Sequence, residues 1–389
     1  MMFRGCATRD LGSVQLPDVF SGRLGYTRLL EEIPFRISIS GTRGKSGLAR
    51  GLEASVRDRG YSTLAKITGT EPVTIRDGIE HPIHRPDRLG ALLDENIYEL
   101  KYFYRDGIDV LIMENQGISA YTMRVFNELY CRPRFVVVPN IRRDHVETLG
   151  EDLADHAKAY GSSCPHGSTL ISGVADRRLA KILRRSAEAA GAGFIDEGTH
   201  PPGPPGAELV YLEDRVIREL TGTGIGAENI QRRLRALEAR YDWQPSGLED
   251  VWWFPAADVN DVESTETILR FLLSRRWLPV SFIAYLRGDR RDRTKTFIEF
   301  FSRMLQAGLA ERIYLIGHGS KHVARKLSDL PGEIRRYPDT PAGVDALVGD
   351  VSASCAGEAV MTVANIVPPL AREIHQRLRR GQEAISKAL

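Results

Sequence analysis

Lys45 and Ser46 follow two glycines in the run Gly41-Thr42-Arg43-Gly44-Lys45-Ser46. Residues of these types at this spacing suit phosphate chemistry. Glycines let a loop approach an anion closely, and backbone N–H groups converge where a helix begins. A lysine can meet β/γ-phosphates, and a hydroxyl can meet Mg²⁺. The longest form of this loop places a further glycine at position 39, where this chain has Ile39, so what remains is the shorter G-x-x-G-K-S. A Gly-Lys-Ser turn can also do no more than cap a helix, so its flanks decide. Phe35 to Ser40 alternates and is β-prone, and Leu48, Leu52 and Val56 continue at helical spacing. Strand before and helix after favour nucleotide binding.

Further candidates lie at the ends of other apolar runs. Glu114 closes Val110-Leu-Ile-Met, where a carboxylate would face a phosphate-bound Mg²⁺; the alternative is an ordinary strand-end glutamate. Asn140-Ile-Arg-Arg-Asp144-His145 gathers an amide, a carboxylate and an imidazole after the next strand. His145 could ligate a second metal or contact phosphate, although a loop histidine is often structural. Lys66-Ile-Thr68-Gly-Thr70 reads as a polar loop suited to an oxyanion, or as a solvated turn. Asp258 to Thr265 could contact ribose or base, or could cap a helix through Ser264 or Thr265. Arg287-Gly-Asp-Arg290-Arg-Asp-Arg293 carries forks that match carboxylates and phosphates, with a self-paired surface cluster as the alternative. His318 is assigned no role.

These residues need a scaffold. Asp109 to Glu114, Arg134 to Pro139 and Ser168 to Ser172 read as buried strands separated by helical segments such as Asp152 to Tyr160, which predicts a mostly parallel sheet covered on both faces. Thr199 to Gly206, with two Pro-Pro pairs, reads as a loop. A basic amphipathic helix runs from Glu228 to Arg240 after the turn glycines Gly222, Gly224 and Gly226. A second alternating block begins near Trp252, with strands at Val280 to Leu286, Arg312 to Ile316 and Glu358 to Asn365. Helices at Glu266 to Ser274, Lys295 to Ala307 and Leu370 to Arg380 accompany them. Gln244-Pro-Ser-Gly247 is the expected boundary, giving an extension over 1–34, a P-loop domain over 35–247 and a smaller domain over 248–389.

The composition excludes several classes. The chain has 389 residues, 42% hydrophobic and 27% charged, and 53 basic against 51 acidic residues leave a formal charge of +2. No global field argues for nucleic acid or anionic lipid. The four cysteines, Cys6, Cys131, Cys164 and Cys355, form no C-x-x-C pair, which suits a reducing compartment rather than a zinc site. No apolar run reaches membrane-spanning length and residues 1–34 lack a signal-peptide core, so a cytoplasmic protein is expected.

In order along the chain, Gly41-Thr-Arg-Gly-Lys-Ser46, Lys66-Ile-Thr-Gly-Thr70, Pro82-Ile-His-Arg85, Glu114, Asn140-x-x-x-Asp144-His145-x-x-x-x-Gly150, Asn260-Asp261-x-x-Ser264-Thr265 and Arg287-x-Asp-Arg290-x-Asp-Arg293-Thr294 resemble the Mur ligase superfamily, most closely the ligase subunit of poly-γ-glutamate (capsule) synthase. The resemblance implies a P-loop central domain with a Rossmann-like C-terminal domain, and an ATP- and Mg²⁺-dependent amide ligase acting on glutamate or an acidic polymer. A ligase of a small-molecule or peptide carboxylate, and an assembly subunit without ligase activity, stay open. It implies that Gly41, Thr42, Arg43, Gly44, Lys45, Ser46, Asn140, Asn260 and Asp261 hold the nucleotide, and that Ser46, Glu114 and His145 hold metal. Lys45, Glu114 and His145 would be the catalytic residues. Lys66, Thr68, Thr70, Arg287, Arg290 and Arg293 would contact substrate. It also implies a membrane-protein synthase partner. The chain departs from that pattern in a polar residue 1–34 stretch, in the absence of arginine from Ser246 to Asp250, and in Val363-Ala-Asn365-Ile-Val367, which keeps only the asparagine of a glycine-rich loop.

Overall fold

A computed structural model of the chain describes residues 25–69, 71–85, 93–104, 107–259, 261–289 and 291–386, the side chains of 291–292 and 380–386 excepted. The chain divides into two compact units, Met1–Leu234 and Arg235–Leu389.

The first unit is built on an eight-stranded sheet. Its strands are β1 (Phe35–Ile39), β2 (Thr63–Ile67), β3 (Val73–Arg76), β4 (Ile79–Pro82), β5 (Val110–Glu114), β6 (Phe135–Val138), β7 (Thr169–Ser172) and β8 (Gly193–Asp196). Their spatial order is β4-β3-β2-β5-β1-β6-β7-β8. Six strands run parallel, and β3 and β4 append an antiparallel hairpin to β2. The hairpin follows from Asp77-Gly78, whose φ values of 49° and 85° give the left-handed turn that matches strand twist. β5 and β6 are buried along their whole length, so each reads as a continuous apolar run rather than an alternation.

β1 lies between β5 and β6, and the register sets Ile39 level with Glu114 and with Val137. The carboxyl ends of three central strands therefore open at one edge, where open α/β sheets bind ligands. The helix Lys45–Arg57 leaves that edge and is fixed from behind. Glu213, on the helix Ala207–Thr221, is buried, accepts from Ser55 Oγ at 2.6 Å and pairs with Arg233. Burial pushes the Glu213 carboxyl up, and Arg233 offsets part of that.

The second unit has a six-stranded sheet ordered β13-β12-β11-β14-β10-β9. Its strands are β9 (Gln244–Pro245), β10 (Trp252–Pro255), β11 (Val280–Leu286), β12 (Arg312–Gly317), β13 (Glu333–Arg336) and β14 (Ala359–Val363), all parallel except β9. Gln244–Pro245 thus forms an edge strand of this sheet. Along β11, Phe282, Ala284 and Leu286 face a core with Phe297, Phe300 and Phe301. Ile283 and Tyr285 face the opposite core with Tyr314, Val344 and Leu347. Both faces are covered, as a parallel sheet requires. Among the described residues no helix is long and apolar enough to cross a membrane.

Candidate active site

The phosphate loop is held open by glycine geometry and by one asparagine. Gly41 has φ of 98°, and a Cβ there would lie 2.9 Å from the Asn140 carbonyl oxygen. Gly44 caps the helix in the left-handed region at φ 79°, where a Cβ would lie 2.8 Å from Leu209 Cδ1. Side chains at both positions are excluded. No side chain caps this helix, so its first-turn N–H groups are presented at the loop.

Asn140, beyond the end of β6, clasps the loop main chain. Its Oδ1 accepts from the Arg43 N–H at 2.9 Å, and its Nδ2 donates to the Arg43 carbonyl at 3.0 Å. Thr42 adds a second tie, accepting from the Arg142 N–H at 3.0 Å and donating to the Arg142 carbonyl at 3.2 Å. Asp144 lies 3.6 Å from the Arg43 guanidinium.

Lys45, Ser46 and Glu114 form one cluster. Ser46 Oγ donates to Glu114 Oε2 at 3.0 Å, the Thr68 N–H donates to the same oxygen at 3.1 Å, and Lys45 Nζ lies 4.0 Å from Oε1. Lys45 Nζ also donates to the carbonyls of Gly41 and Thr42 at 2.9 and 3.2 Å. Burial pushes the Lys45 ammonium down, opposed by Glu114, and pushes the Glu114 carboxyl up, opposed by Lys45. The lysine folds onto carbonyls that are weaker partners than phosphate oxygens. A hydroxyl beside a carboxylate is a donor set that fits a hard cation. Those two observations make the loop a fit for Mg²⁺ and a polyphosphate.

Other candidates stand apart. His145 is itself in the left-handed region at φ 52°; its backbone N–H donates to Asp144 Oδ1 and its Nδ1 lies 3.9 Å from Glu147. Among the described residues no three His, Cys, Asp or Glu side chains gather into one metal-binding group. Lys66, expected in a loop, lies inside β2 with its side chain buried, because Glu95 meets it at 2.7 Å. Glu95 also takes two hydrogen bonds from Arg85, at 2.7 and 3.0 Å. Arg85 reaches Thr68 Oγ1 at 3.3 Å, and Lys66 donates to Gln116 Oε1 at 3.3 Å. Burial would raise Glu95, but the Arg85 hydrogen bond and the Lys66 charge hold it below the usual carboxylate range. Glu95 and Gln116 were not read as site residues from the sequence. The only local signal was Gln116 standing two residues beyond Glu114.

In the second unit, the helix Val262–Arg275 is capped by Asp261, which accepts from the Ser264 N–H at 2.8 Å; the cap is neither Ser264 nor Thr265. Arg287 makes a two-pronged contact with Asp289 at 2.9 and 2.6 Å, the self-paired arrangement. Arg293 donates to Asn365 Oδ1 at 2.6 Å, and Asn365 Nδ2 to the Tyr285 carbonyl at 2.9 Å. Thr70, Asn260 and Arg290 lie outside the described residues.

A sheet of this order with a glycine loop at its central edge, followed by a smaller parallel α/β unit, defines the Mur-ligase fold of the folylpolyglutamate synthases. Escherichia coli FolC in complex with DHPP and ADP superposes with a TM-score of 0.65 at 15% identity, over 99% of this chain and 95% of that one. A bifunctional folylpolyglutamate synthase/dihydrofolate synthase with Mn, AMPPNP and L-glutamate bound gives 0.63, also at 15% identity, over 94% of each chain. Within that fold, residues 241–380 match the family model of the poly-gamma-glutamate synthase CapB C-terminal domain. PGA synthase CapB of Bacillus subtilis (strain 168) is 24% identical over 165 residues, 42% of this chain and 41% of that protein's own length. The resemblance read from the sequence is borne out by this fold and by the family model that matches residues 241–380.

Proposed function

We propose that this protein is an ATP- and Mg²⁺-dependent acid–amino-acid ligase that acts on glutamate or an acidic γ-glutamyl chain, in the manner of poly-γ-glutamate synthase. The observation that carries the proposal is the Lys45–Ser46–Glu114 cluster on an uncapped glycine loop, in a chain whose second unit matches the CapB domain. Lys45 and the loop amides would hold β/γ-phosphates, with Asn140 and Thr42 keeping the loop in shape. Ser46 and Glu114 would hold one Mg²⁺, which supplies charge neutralisation on the phosphate oxygens. His145 is the candidate for a second ion. Thr68 and Arg85 would meet a substrate carboxylate at the neighbouring strand end, with the buried Lys66–Glu95 pair behind them.

In the reaction, a carboxylate oxygen of one substrate attacks the γ-phosphorus, giving an acyl phosphate and ADP. The amine of the second substrate attacks the acyl carbon; the amide forms, phosphate leaves, and the amine loses a proton. Lys45 and the loop N–H groups would supply positive charge to the phosphate oxygens, which is the main demand of phosphoryl transfer. A membrane-protein partner, as for a capsule synthase, remains part of the proposal.

The test is phosphate release from ATP and Mg²⁺ with a panel of amino acids, followed by product mass. A ladder of added glutamyl units supports the polymer reading. A single condensed product selects a small-molecule ligase, and phosphate release independent of any amino acid refutes ligation.

A further inference from the structure

The second unit contains a cavity of about 500 Å³ away from the Arg287 to Arg293 segment. Its lining includes the buried Trp253, Phe254 and Ile268. Arg240, Arg372 and Arg379 line it, against one carboxylate, Asp258. Arg240, Arg372 and Arg379 are exposed, and no ion pair joins any of them to a carboxylate among the described residues. His375 lies between Arg372 and Arg379 on the same helix, Pro369–Ser386, edge-on to Trp253 at 5.4 Å. Its Nε2 is shielded from solvent and has no hydrogen-bond partner. Burial, with Arg379 nearby, pushes the imidazole down to about 4, so it is neutral at physiological pH.

We propose that this cavity binds a linear polycarboxylate, the γ-linked acidic chain on which the ligase acts. The identity of the ligand rests on the ligase reading above; the cavity and its charges do not. Arg372 and Arg379 are seven residues apart, about 10 Å along a helix. That spacing suits successive carboxylates better than one compact anion. A γ-linked glutamyl chain alternates carboxylates with paired methylenes, so its charged groups meet the arginine forks while its methylenes lie against the apolar part of the lining.

The test is calorimetric titration of the full chain with tri-γ-glutamate, without nucleotide. Saturable one-to-one binding is expected, with Arg372→Ala and Arg379→Ala each weakening it roughly tenfold or more. Arg270→Ala, an equal loss of charge on another helix, leaves it unchanged. Absence of binding, or equal weakening in all three variants, overturns the proposal, as does displacement of the peptide by equimolar inorganic phosphate. Elongation of the peptide by Arg372→Ala with an unchanged KM also overturns it while leaving the ligase reading intact. Peptide that binds through both arginines but is never elongated supports the cavity and sinks the ligase reading instead.

Discussion

Asn140→Ala isolates what the loop clasp contributes. The substitution removes two hydrogen bonds, from Arg43 N–H to Oδ1 and from Nδ2 to the Arg43 carbonyl, and leaves the Thr42 tie to the Asn140 backbone in place. Each neutral hydrogen bond contributes about 0.5–1.5 kcal/mol net, so the pair holds the loop by about 1–3 kcal/mol. A loop that must be ordered by its ligand gives that amount back from binding, which lowers nucleotide affinity by roughly 5- to 150-fold. Calorimetric titration with ADP and Mg²⁺ measures it. Asn140→Asp keeps the acceptor for Arg43 N–H but sets an oxygen against the Arg43 carbonyl, so it should be no better than alanine. Nucleotide affinity within twofold of wild type in Asn140→Ala, with only the melting temperature lowered, refutes a nucleotide role for the clasp.

Lys45→Ala should abolish ATP turnover while leaving the circular-dichroism spectrum and melting profile close to wild type; near-normal turnover ends the phosphate-loop assignment. Glu95→Gln leaves Lys66 and Arg85 without their carboxylate and should destabilise by about 3–5 kcal/mol in urea unfolding at pH 7. Because the Glu95 carboxyl is held below its ordinary range, its contribution is full above the unfolded carboxylate range and is lost as pH falls through the lower folded value, so the gap between variant and wild type should close in acid. Ala364 lies at φ 77°, where a side chain is strained, and Ala364→Gly should raise stability by up to about 1 kcal/mol; a lower melting temperature contradicts that account.

What the sequence made legible is what depends on neighbours along the chain. The strand–loop–helix around Gly41 to Ser46 and the strand ending in Glu114 carry their own patterns. Their meeting needs only that β1 and β5 pair in register. Lys66 was misread as part of a loop because a charged residue inside a buried strand makes sense only with Glu95, whose position depends on a distant helix. Glu95 and Gln116 were missed for the same reason. The hairpin of β3 and β4 was signalled locally by Asp77-Gly78, a turn pair overlooked among stronger motifs. The Asp261 cap illustrates a local ambiguity: several residues that can cap stand close together, and the backbone chooses one.

The central claim is that a carboxylate is activated by transfer of the γ-phosphoryl group. It is tested most directly by supplying the acyl donor with ¹⁸O in its reacting carboxylate, together with ATP, Mg²⁺ and the amino substrate, and weighing the phosphate released. The ligase account predicts one ¹⁸O in each phosphate that accompanies an amide product. Unlabelled phosphate would mean that water, not the carboxylate, attacks ATP, and would contradict it.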